Sequence, residues 1–217
     1  MTDKNNPDIS LQLPEPTLRR LPWYLAYMST LHAADVEYIS TTGMAKALSV
    51  DPSQIAKDLS FLGIRGKTRI GYRVDELEGT LRDFLGFGRR HNAIMMGAGS
   101  LGAALIADSG LQRYGLNIVA GIDINPALIG TTINGVEIHA PESIPDLVAR
   151  LKAVIGIIAV PVDSAQSASD TLTAAGVRAI WNFTPSRICV PEGCVIANTS
   201  IYSHLAVMYN RLSLLDL

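Results

Sequence analysis

Apolar residues in the first part of the chain recur every three or four positions, which is the spacing of a helix rather than a strand. The pattern predicts one helix over residues 17–34, a second that Ser40 or Thr41 caps, and a third that begins at Asp51-Pro52. The apolar positions on which these helices rest are Leu21, Leu25, Met28, Leu31, Met44, Ala45, Leu48, Ile55, Leu59 and Leu62.

A basic segment punctuated by Gly63, Gly66 and Gly71 follows the third helix and predicts a short hairpin. Two tightly joined helices and then a hairpin are typical of a winged helix-turn-helix. In that motif the second helix enters the major groove of DNA and the wing touches the backbone or the minor groove. The alternative is a small helical dimerisation module whose charges form a solvated face.

From residue 91 onward, apolar runs and helical segments alternate, after an amphipathic connector helix over residues 75–88. The runs are continuous in Val, Ile and Ala, as expected for strands buried on both faces of a parallel sheet. Asn134-Gly135 predicts a tight hairpin between two of them. Strands are predicted over residues 93–96, 116–123, 154–160, 177–183 and 194–198, and helices over 141–153, over 163–176 and from about Ser200.

The stretch Gly97-Ala98-Gly99-Ser100-Leu101-Gly102 matches G-x-G-x-x-G between a predicted strand and a predicted helix. In such a loop the glycines allow a tight turn, a close approach to a pyrophosphate and close packing of the helix, whose N-terminus faces the phosphates. Asp123 ends the next predicted strand, where a carboxylate accepts from ribose hydroxyls and repels a 2′-phosphate. The sequence therefore predicts a Rossmann domain that binds NAD(H) rather than NADP(H).

Hydride transfer has little support in the sequence, because a dehydrogenase needs an acid or base beside the nicotinamide and a substrate pocket. Beyond Asp123 the histidines are His139, in the hairpin, and His204, in the last helix; Lys152 is the only lysine of residues 91–217. Binding without turnover is the favoured interpretation. The alternatives are a small NAD-dependent oxidoreductase and a nucleotide-binding partner protein without affinity for DNA.

The net charge of −2 for 217 residues hides a local excess of positive charge. Residues 57–73 hold five basic side chains against one acid, Asp58, as a contact with a phosphate backbone requires. These basic residues are Lys57, Arg65, Lys67, Arg69 and Arg73.

The remaining composition excludes several classes of protein. Cys189 and Cys194 lack the further ligands of a zinc site, so we expect two plain thiols, with a redox disulfide as the alternative. The polar N-terminus does not resemble a signal peptide, and no apolar run approaches the roughly 20 residues that span a bilayer. We therefore expect a soluble cytoplasmic protein that does not enter membranes.

Taken together, the motifs resemble those of the Rex family of bacterial redox-sensing transcriptional repressors, from about Pro16 to Leu212. The stretches that carry the resemblance are KDLSFLG, GKTRIGYRV, GAGSLG, AVPVDSAQSASDTLTAAGVRAIWNFTP and the C-terminal helix. The resemblance implies a homodimer with exchanged C-terminal helices that binds a palindromic operator and releases it when NADH binds. It also implies that Val160 and Pro161 line the nucleotide cleft, with Asn182, Phe183, Thr184 and Pro185 toward the nicotinamide.

The chain departs from the family's pattern at four positions. Ala56 stands in the third helix where many members have an arginine, which implies an altered operator. Ala26, Asp108 and Ser200 occupy the places of an arginine, a tyrosine and an aspartate that are proposed to couple the nicotinamide to domain orientation. The NADH response is therefore expected to be rewired.

The fold class predicted is α/β, with an N-terminal winged helix-turn-helix domain followed by a Rossmann dinucleotide-binding domain. The predicted boundaries are a flexible N-terminus over residues 1–15, a DNA-binding domain over 16–88, an NAD(H)-binding domain over 89–199 and a domain-swapped dimerisation helix over 200–217. On the DNA-binding domain, Ser53, Gln54 and Lys57 are expected to face the major groove. Lys67, Arg69 and Arg73 on the wing are expected to contact phosphates.

Overall fold

The computed structural model describes residues 13–214, which form two compact units that divide after Arg89. Residues 1–12 of the predicted flexible N-terminus and residues 215–217 of the predicted dimerisation helix lie outside the described residues.

The first unit packs four helices around one apolar core, beside a two-stranded antiparallel sheet. The helices are α1 (Glu15–Ala33), α2 (Thr41–Leu48), α3 (Pro52–Phe61) and α4 (Val74–Phe84), and the strands are β1 (Tyr38–Ile39) and β2 (Tyr72–Arg73). The helix pair α2–α3 and the segment before β2 have the order of a winged helix-turn-helix.

Local chemistry explains where these helices begin. The Ser40 side chain accepts a hydrogen bond from the backbone N–H of Gly43 at 3.0 Å, so Ser40 rather than Thr41 caps α2. Asp51 accepts from the N–H of Ser53 at 2.8 Å and caps α3, as the sequence predicted. Helix α1 starts at Glu15, two residues earlier than predicted, because the carbonyl of Pro14 already accepts the first backbone bonds of the helix.

The wing contains the predicted hairpin in its shortest form. Its two arms meet in one isolated bridge between Lys67 and Gly71, whereas β2 pairs with β1, the strand that precedes α2. Gly71 is required at this crossing: its φ is +101°, and a Cβ there would lie 2.2 Å from the carbonyl oxygen of Ile39. The wing is therefore fastened to the helix-turn-helix by backbone contacts.

The second unit is a seven-stranded sheet in the order β5-β6-β4-β3-β7-β8-β9, parallel except for the pair β5–β6. Its strands are β3 (His91–Met96), β4 (Leu116–Ile122), β5 (Thr132–Ile133), β6 (Val136–His139), β7 (Ile155–Ile158), β8 (Ala179–Asn182) and β9 (Val195–Asn198). Its helices are α5 (Ser100–Ala107), α6 (Ser109–Arg113), α7 (Ile144–Leu151), α8 (Ala165–Ala174) and α9 (Ile201–Leu212). The α/β class and the parallel sheet are as the sequence predicted.

Side chains along β3 enter two separate cores. Ala93 and Met95 are buried in the cluster on one face of the sheet, and Ile94 and Met96 in the cluster on the other. Burial on both faces explains why the strands appear in the sequence as continuous apolar runs without alternation.

The structure shortens several predicted elements. Strand β7 covers four residues where 154–160 was predicted, and β8 covers four where 177–183 was predicted. The helices predicted over 141–153 and 163–176 each begin as a 3₁₀ turn. The helix after the glycine loop ends at Ala107, and the side chain of Asp108 accepts from the N–H of Gly110 at 2.7 Å and so caps a second short helix, α6.

Helix α9 ends the described chain and buries none of its side chains. An apolar stripe on this helix is exposed at Ile201, Met208, Tyr209 and Leu212. Within residues 13–214, no helix combines the length and the hydropathy that crossing a membrane requires.

Candidate nucleotide and DNA sites

The glycine loop joins β3 to α5, and two of its glycines are required by their surroundings. Gly97 has a φ of +91°, and a Cβ at Gly102 would lie 1.8 Å from the carbonyl oxygen of Gly97. A side chain at either position would displace backbone, so the loop and the first turn of α5 depend on both glycines.

Gly99 differs, because a Cβ built there meets no atom within 4 Å. The space beside this residue is open, and no side chain caps the N-terminus of α5 that begins at Ser100. Uncapped backbone N–H groups and the positive end of the helix dipole are suited to the phosphates of a dinucleotide.

Asp123 follows β4 directly and faces the same loop. Its Oδ2 accepts from the N–H of Ala98 at 2.8 Å, and its Oδ1 accepts from the N–H of Asn125 at 2.8 Å. Asp123, which is predicted to bind the ribose, therefore also connects two loops at the carboxyl edge of the sheet. In open α/β folds, ligands bind at this edge.

Beside the loop lie the residues that follow β7. Ala159 donates its N–H to the carbonyl of Met96 at 2.8 Å, and the carbonyl of Ala159 is the atom that a Cβ at Gly97 would strike. Val160, half-buried, and Pro161, exposed, come next, so the predicted cleft residues adjoin the glycine loop.

The segment after β8 is organised by Asn182, which is fully buried. Its amide nitrogen donates to the carbonyl of Ser186 and to Asn198, at 2.8 and 2.9 Å. Its amide oxygen accepts from the N–H and the hydroxyl of Thr184, at 2.9 and 2.8 Å. Both amide protons and both lone pairs of the oxygen are used within the protein, so the side chain of Asn182 shapes this loop.

Phe183 and Pro185 are the more accessible residues of this segment. The ring of Phe183 packs against Trp181 with a centroid separation of 4.6 Å, and Pro185 is exposed. Thr184 is buried and engaged by Asn182.

In the first unit, α3 carries three residues predicted to bind DNA, and their side chains differ in exposure and in the hydrogen bonds they already make. Lys57 is exposed, whereas the Ser53 hydroxyl donates to the cap Asp51 at 2.5 Å. Gln54 is half-buried, and its amide nitrogen donates to Asp58 at 2.8 Å. Ala56, where many Rex-family members have an arginine, is exposed on the same helix.

Asp58 has a structural role that the count of charges did not predict. It was counted as the one acid among five basic residues, and it is fully buried and accepts five hydrogen bonds. Arg20 donates to its two oxygens at 2.6 and 2.9 Å, and Tyr24 donates to it at 2.7 Å. Because Arg20 already pairs with it, Asp58 does not offset the exposed basic side chains of α3 and the wing.

The ionisation of this cluster follows from its contacts. Burial alone would raise the pKa of Asp58, but the hydrogen bonds from Arg20, Tyr24, Gln54 and Thr17 outweigh it and hold that pKa below its usual value. The pKa of Tyr24 is raised by burial and by the neighbouring carboxylate. The carboxylate is therefore ionised at neutral pH. A sequence signal existed: Thr17, Arg20 and Tyr24 are three and four residues apart, which places their polar side chains on one face of a helix.

The wing carries exposed Arg65, Lys67 and Arg69, and Lys67 lies over the ring of Tyr38 at 5.7 Å from its centroid. Arg73 is different, because its guanidinium pairs with Asp75 and lies 3.3 Å from Glu76. Hydrogen bonding to Asp75 raises the pKa of Arg73. A phosphate would have to compete with these carboxylates for Arg73, which makes it the weakest of the predicted wing contacts.

The histidines and cysteines considered for catalysis or metal binding each have separate surroundings in the described chain. His139 lies 3.8 Å from Glu137, and His204 Nδ1 lies 3.1 Å from the carbonyl of Ser200. Cys189 and Cys194 are free thiols, and burial raises the pKa of Cys194. Among the residues that the structure describes, no group of three or more His, Cys, Asp and Glu side chains could hold a metal ion.

Two family models match the chain. The model described as "Putative DNA-binding protein N-terminus" matches residues 12–60, and the model described as "CoA binding domain" matches residues 89–186. The two matches cover the helix-turn-helix and most of the Rossmann sheet.

Similar proteins and structures cover nearly the whole chain. The redox-sensing transcriptional repressor Rex of Porphyromonas gingivalis is 52% identical over 204 residues, 94% of each chain. That of Bacteroides fragilis is 51% identical over 94% of this chain and 93% of its own. The crystal structure of RSP in complex with β-NAD⁺ and operator DNA matches with a TM-score of 0.90 at 36% identity, covering 94% of each chain. RSP in complex with β-NADH matches with a TM-score of 0.86 at 35% identity, covering 94% of this chain and 96% of its own.

Proposed function

The chain belongs to the Rex family of redox-sensing transcriptional repressors, and on that premise we propose that it is an NAD(H)-responsive, DNA-binding repressor rather than an enzyme. It binds a palindromic operator as a homodimer and releases it when NADH binds. The observation that carries the proposal is the presence in one chain of a winged helix with exposed basic residues and a Rossmann loop before an uncapped helix. Acting on DNA, the protein would work in the cytoplasm.

In the nucleotide site, the backbone from Gly97 to Gly102 and the N-terminus of α5 hold the pyrophosphate. Asp123 accepts from the adenosine ribose, which favours NAD(H). The remaining contacts are assigned to Val160, Pro161, Phe183, Thr184 and Pro185, with Asn182 holding their loop in shape. The oxidation state of the nicotinamide is the signal.

In the DNA site, Gln54 and Lys57 enter the major groove on α3, with Ser53 at its first turn. Lys67 and Arg69 contact phosphates from the wing, and Arg73 contributes less because Asp75 already pairs with it. The loss of an arginine at Ala56 moves more of the sequence discrimination to Gln54 and Lys57.

The homodimer is expected to form through α9, whose apolar side chains have no cover within the described chain. A second copy related by a two-fold axis would bury the same stripe on both helices, as the exchange of C-terminal helices in the family implies. One recognition helix per subunit then requires an inverted repeat, with half-sites one helical turn of DNA or a multiple apart.

The response to NADH is expected to be weaker than the family's pattern implies, because the three coupling positions have other roles here. Ala26 is exposed on α1 and has no polar side chain. Asp108 caps α6, and Ser200 caps α9 by accepting from the N–H of Ser203 at 3.2 Å. Coupling between nucleotide and operator must therefore pass through other contacts.

Selection of bound sequences from random duplex DNA, with and without NADH, tests this function. We expect an enriched inverted repeat whose recovery falls when NADH is present. Recovery of no preferred sequence would contradict the repressor. Oxidation of NADH against a panel of carbonyl compounds at about 1 s⁻¹ or faster would favour an oxidoreductase instead.

A further inference from the structure

One buried carboxylate connects the fold of the first unit to the helix that is proposed to enter DNA. Thr17, Arg20 and Tyr24 lie on one face of α1 and all donate to Asp58 of α3. From α3 itself, Gln54 donates to the same carboxylate, four residues earlier in the helix. Asp58 therefore fixes the position of α3 on α1 and the conformation of Gln54 together.

The carboxylate is buried too deeply to touch DNA. Its side chain is 0% exposed, and that of Arg20 is 20% exposed. Whatever Asp58 contributes to binding must act through a neighbour, and Gln54 is the one proposed DNA-contacting residue bonded to it.

The hydrogen bond to Asp58 restricts what Gln54 can offer a ligand. A glutamine amide has two N–H donors and one acceptor oxygen. With one N–H given to Asp58 Oδ1 at 2.8 Å, one N–H and the oxygen Oε1 remain. An ionised carboxylate can only accept, so this contact also decides which end of the amide is turned inward.

One N–H beside one acceptor is the pattern that matches adenine in the major groove, whose N7 accepts and whose N6 amino group donates. We propose that Asp58 is a positioning residue that orients the Gln54 amide so that it recognises an adenine in each operator half-site. This inference rests on the proposed function. Beyond that function, the inference names the base, the side chain that contacts the base and the buried group that determines the contact.

Competition binding against operators with single base-pair replacements measures the preference for adenine directly. For the wild-type protein, replacing one A·T pair in a single half-site is expected to weaken binding about tenfold. Gln54→Ala should lose that preference and keep the preferences at the other positions. Asp58→Asn should lose it too, because the single oxygen of an asparagine amide cannot accept from Arg20, Tyr24 and Gln54 together.

Tyr24→Phe is the matched control. It removes one donor to Asp58 in the same buried cluster, at 2.7 Å, without touching Gln54. It should lower the melting temperature and leave the base preferences unchanged. In a Gln54→Ala background, Asp58→Asn should cause no further change at the adenine position.

A spectroscopic measurement on the wild-type chain keeps the test independent of whether Asp58→Asn folds. In ¹H–¹⁵N spectra, the Gln54 side-chain amide, assigned from its loss in Gln54→Ala, should exchange with solvent more slowly than that of exposed Gln112. Equal exchange rates would overturn the proposed orientation.

Two binding results would also overturn the inference. Either Gln54→Ala keeps every base preference, or Asp58→Asn loses stability but keeps the adenine preference. Both leave the repressor function standing, because the wild-type protein still selects an operator. Absence of any base preference in the wild-type protein would instead contradict the proposed function itself.

Discussion

The carboxylate of Asp123 accepts a hydrogen bond from the backbone N–H of Ala98 at 2.8 Å, which ties the end of β4 to the glycine loop. The residue assigned to the ribose thus also holds the loop assigned to the pyrophosphate. The positions proposed for the two halves of the nucleotide are therefore connected by one side chain of the protein itself.

Substitution of Asp123 should weaken NADH binding more than removal of a surface acid. Asp123→Asn places an amide nitrogen against one of two backbone N–H groups, and Asp123→Ala removes both contacts. We expect either variant to lose about 1–3 kcal/mol of NADH binding free energy, measured by calorimetric titration. Asp146→Asn is the control, because Asp146 pairs only at the surface with Arg150. Equal affinity of Asp123→Ala and the wild-type protein would contradict the ribose assignment.

Two glycines of the loop should respond oppositely to alanine. Gly102→Ala places a Cβ 1.8 Å from the carbonyl of Gly97 and should destabilise the Rossmann unit by about 3 kcal/mol, the upper end of the cost of overpacking. Gly99→Ala meets open space at a φ of −64°, so it should leave the melting temperature nearly unchanged. Its methyl group would fill the space assigned to the pyrophosphate, and NADH affinity should fall at least about tenfold. A Gly99→Ala variant with wild-type NADH affinity would show that the phosphates lie elsewhere.

The Asp58 cluster predicts a pH-dependent contribution to stability. The folded-state pKa of Asp58 lies below its unfolded value of roughly 3.9, so its contribution is present above about pH 4 and is lost as pH falls through the folded pKa. At pH 7, Asp58→Asn should lower the free energy of unfolding by about 3–5 kcal/mol, because Arg20 loses its buried partner. Urea unfolding from pH 2 to pH 7 should show the difference between the two proteins shrinking in acid. A difference that is constant with pH would mean that the carboxylate is not the stabilising species.

Helix α9 should carry the dimer. Met208→Glu puts a charge in the middle of the exposed apolar stripe and should halve the molar mass measured by light scattering. Ser203→Glu, on the opposite side of the helix, is the control and should remain dimeric. A truncation before Ser200 that stays dimeric would place the interface elsewhere.

Sequence patterns were sufficient for features that depend on neighbours along the chain. The cap at Asp51, the hairpin at Asn134-Gly135 and the strand–loop–helix around Gly97 are local, and all three are present. Strands β7 and β8 were predicted too long, because apolar residues beyond their ends continue the run; one of these, Val154, precedes β7 and is exposed.

Features that depend on residues distant in sequence were not accessible to pattern analysis. The burial of Asp58 was not predicted, because its partner Arg20 lies 38 residues away and only packing brings the two together. Asn182 was assigned to the ligand by resemblance, yet contacts with Ser186 and Asn198 occupy its amide nitrogen. In both cases a polar side chain makes its hydrogen bonds within the protein.

The measurement that tests the central claim most directly is a titration of labelled operator with the full chain at fixed salt, with no nucleotide, with NAD⁺ or with NADH. NADH can change operator affinity only by the difference in its own affinity for the two arrangements of the protein. With Ala26, Asp108 and Ser200 at the coupling positions, we predict that NADH weakens operator binding by no more than about 1–3 kcal/mol. NAD⁺ should have less effect, because its charged ring is less favourable in an apolar pocket. Three identical isotherms would contradict the redox-sensing account, even if the protein binds both DNA and nucleotide.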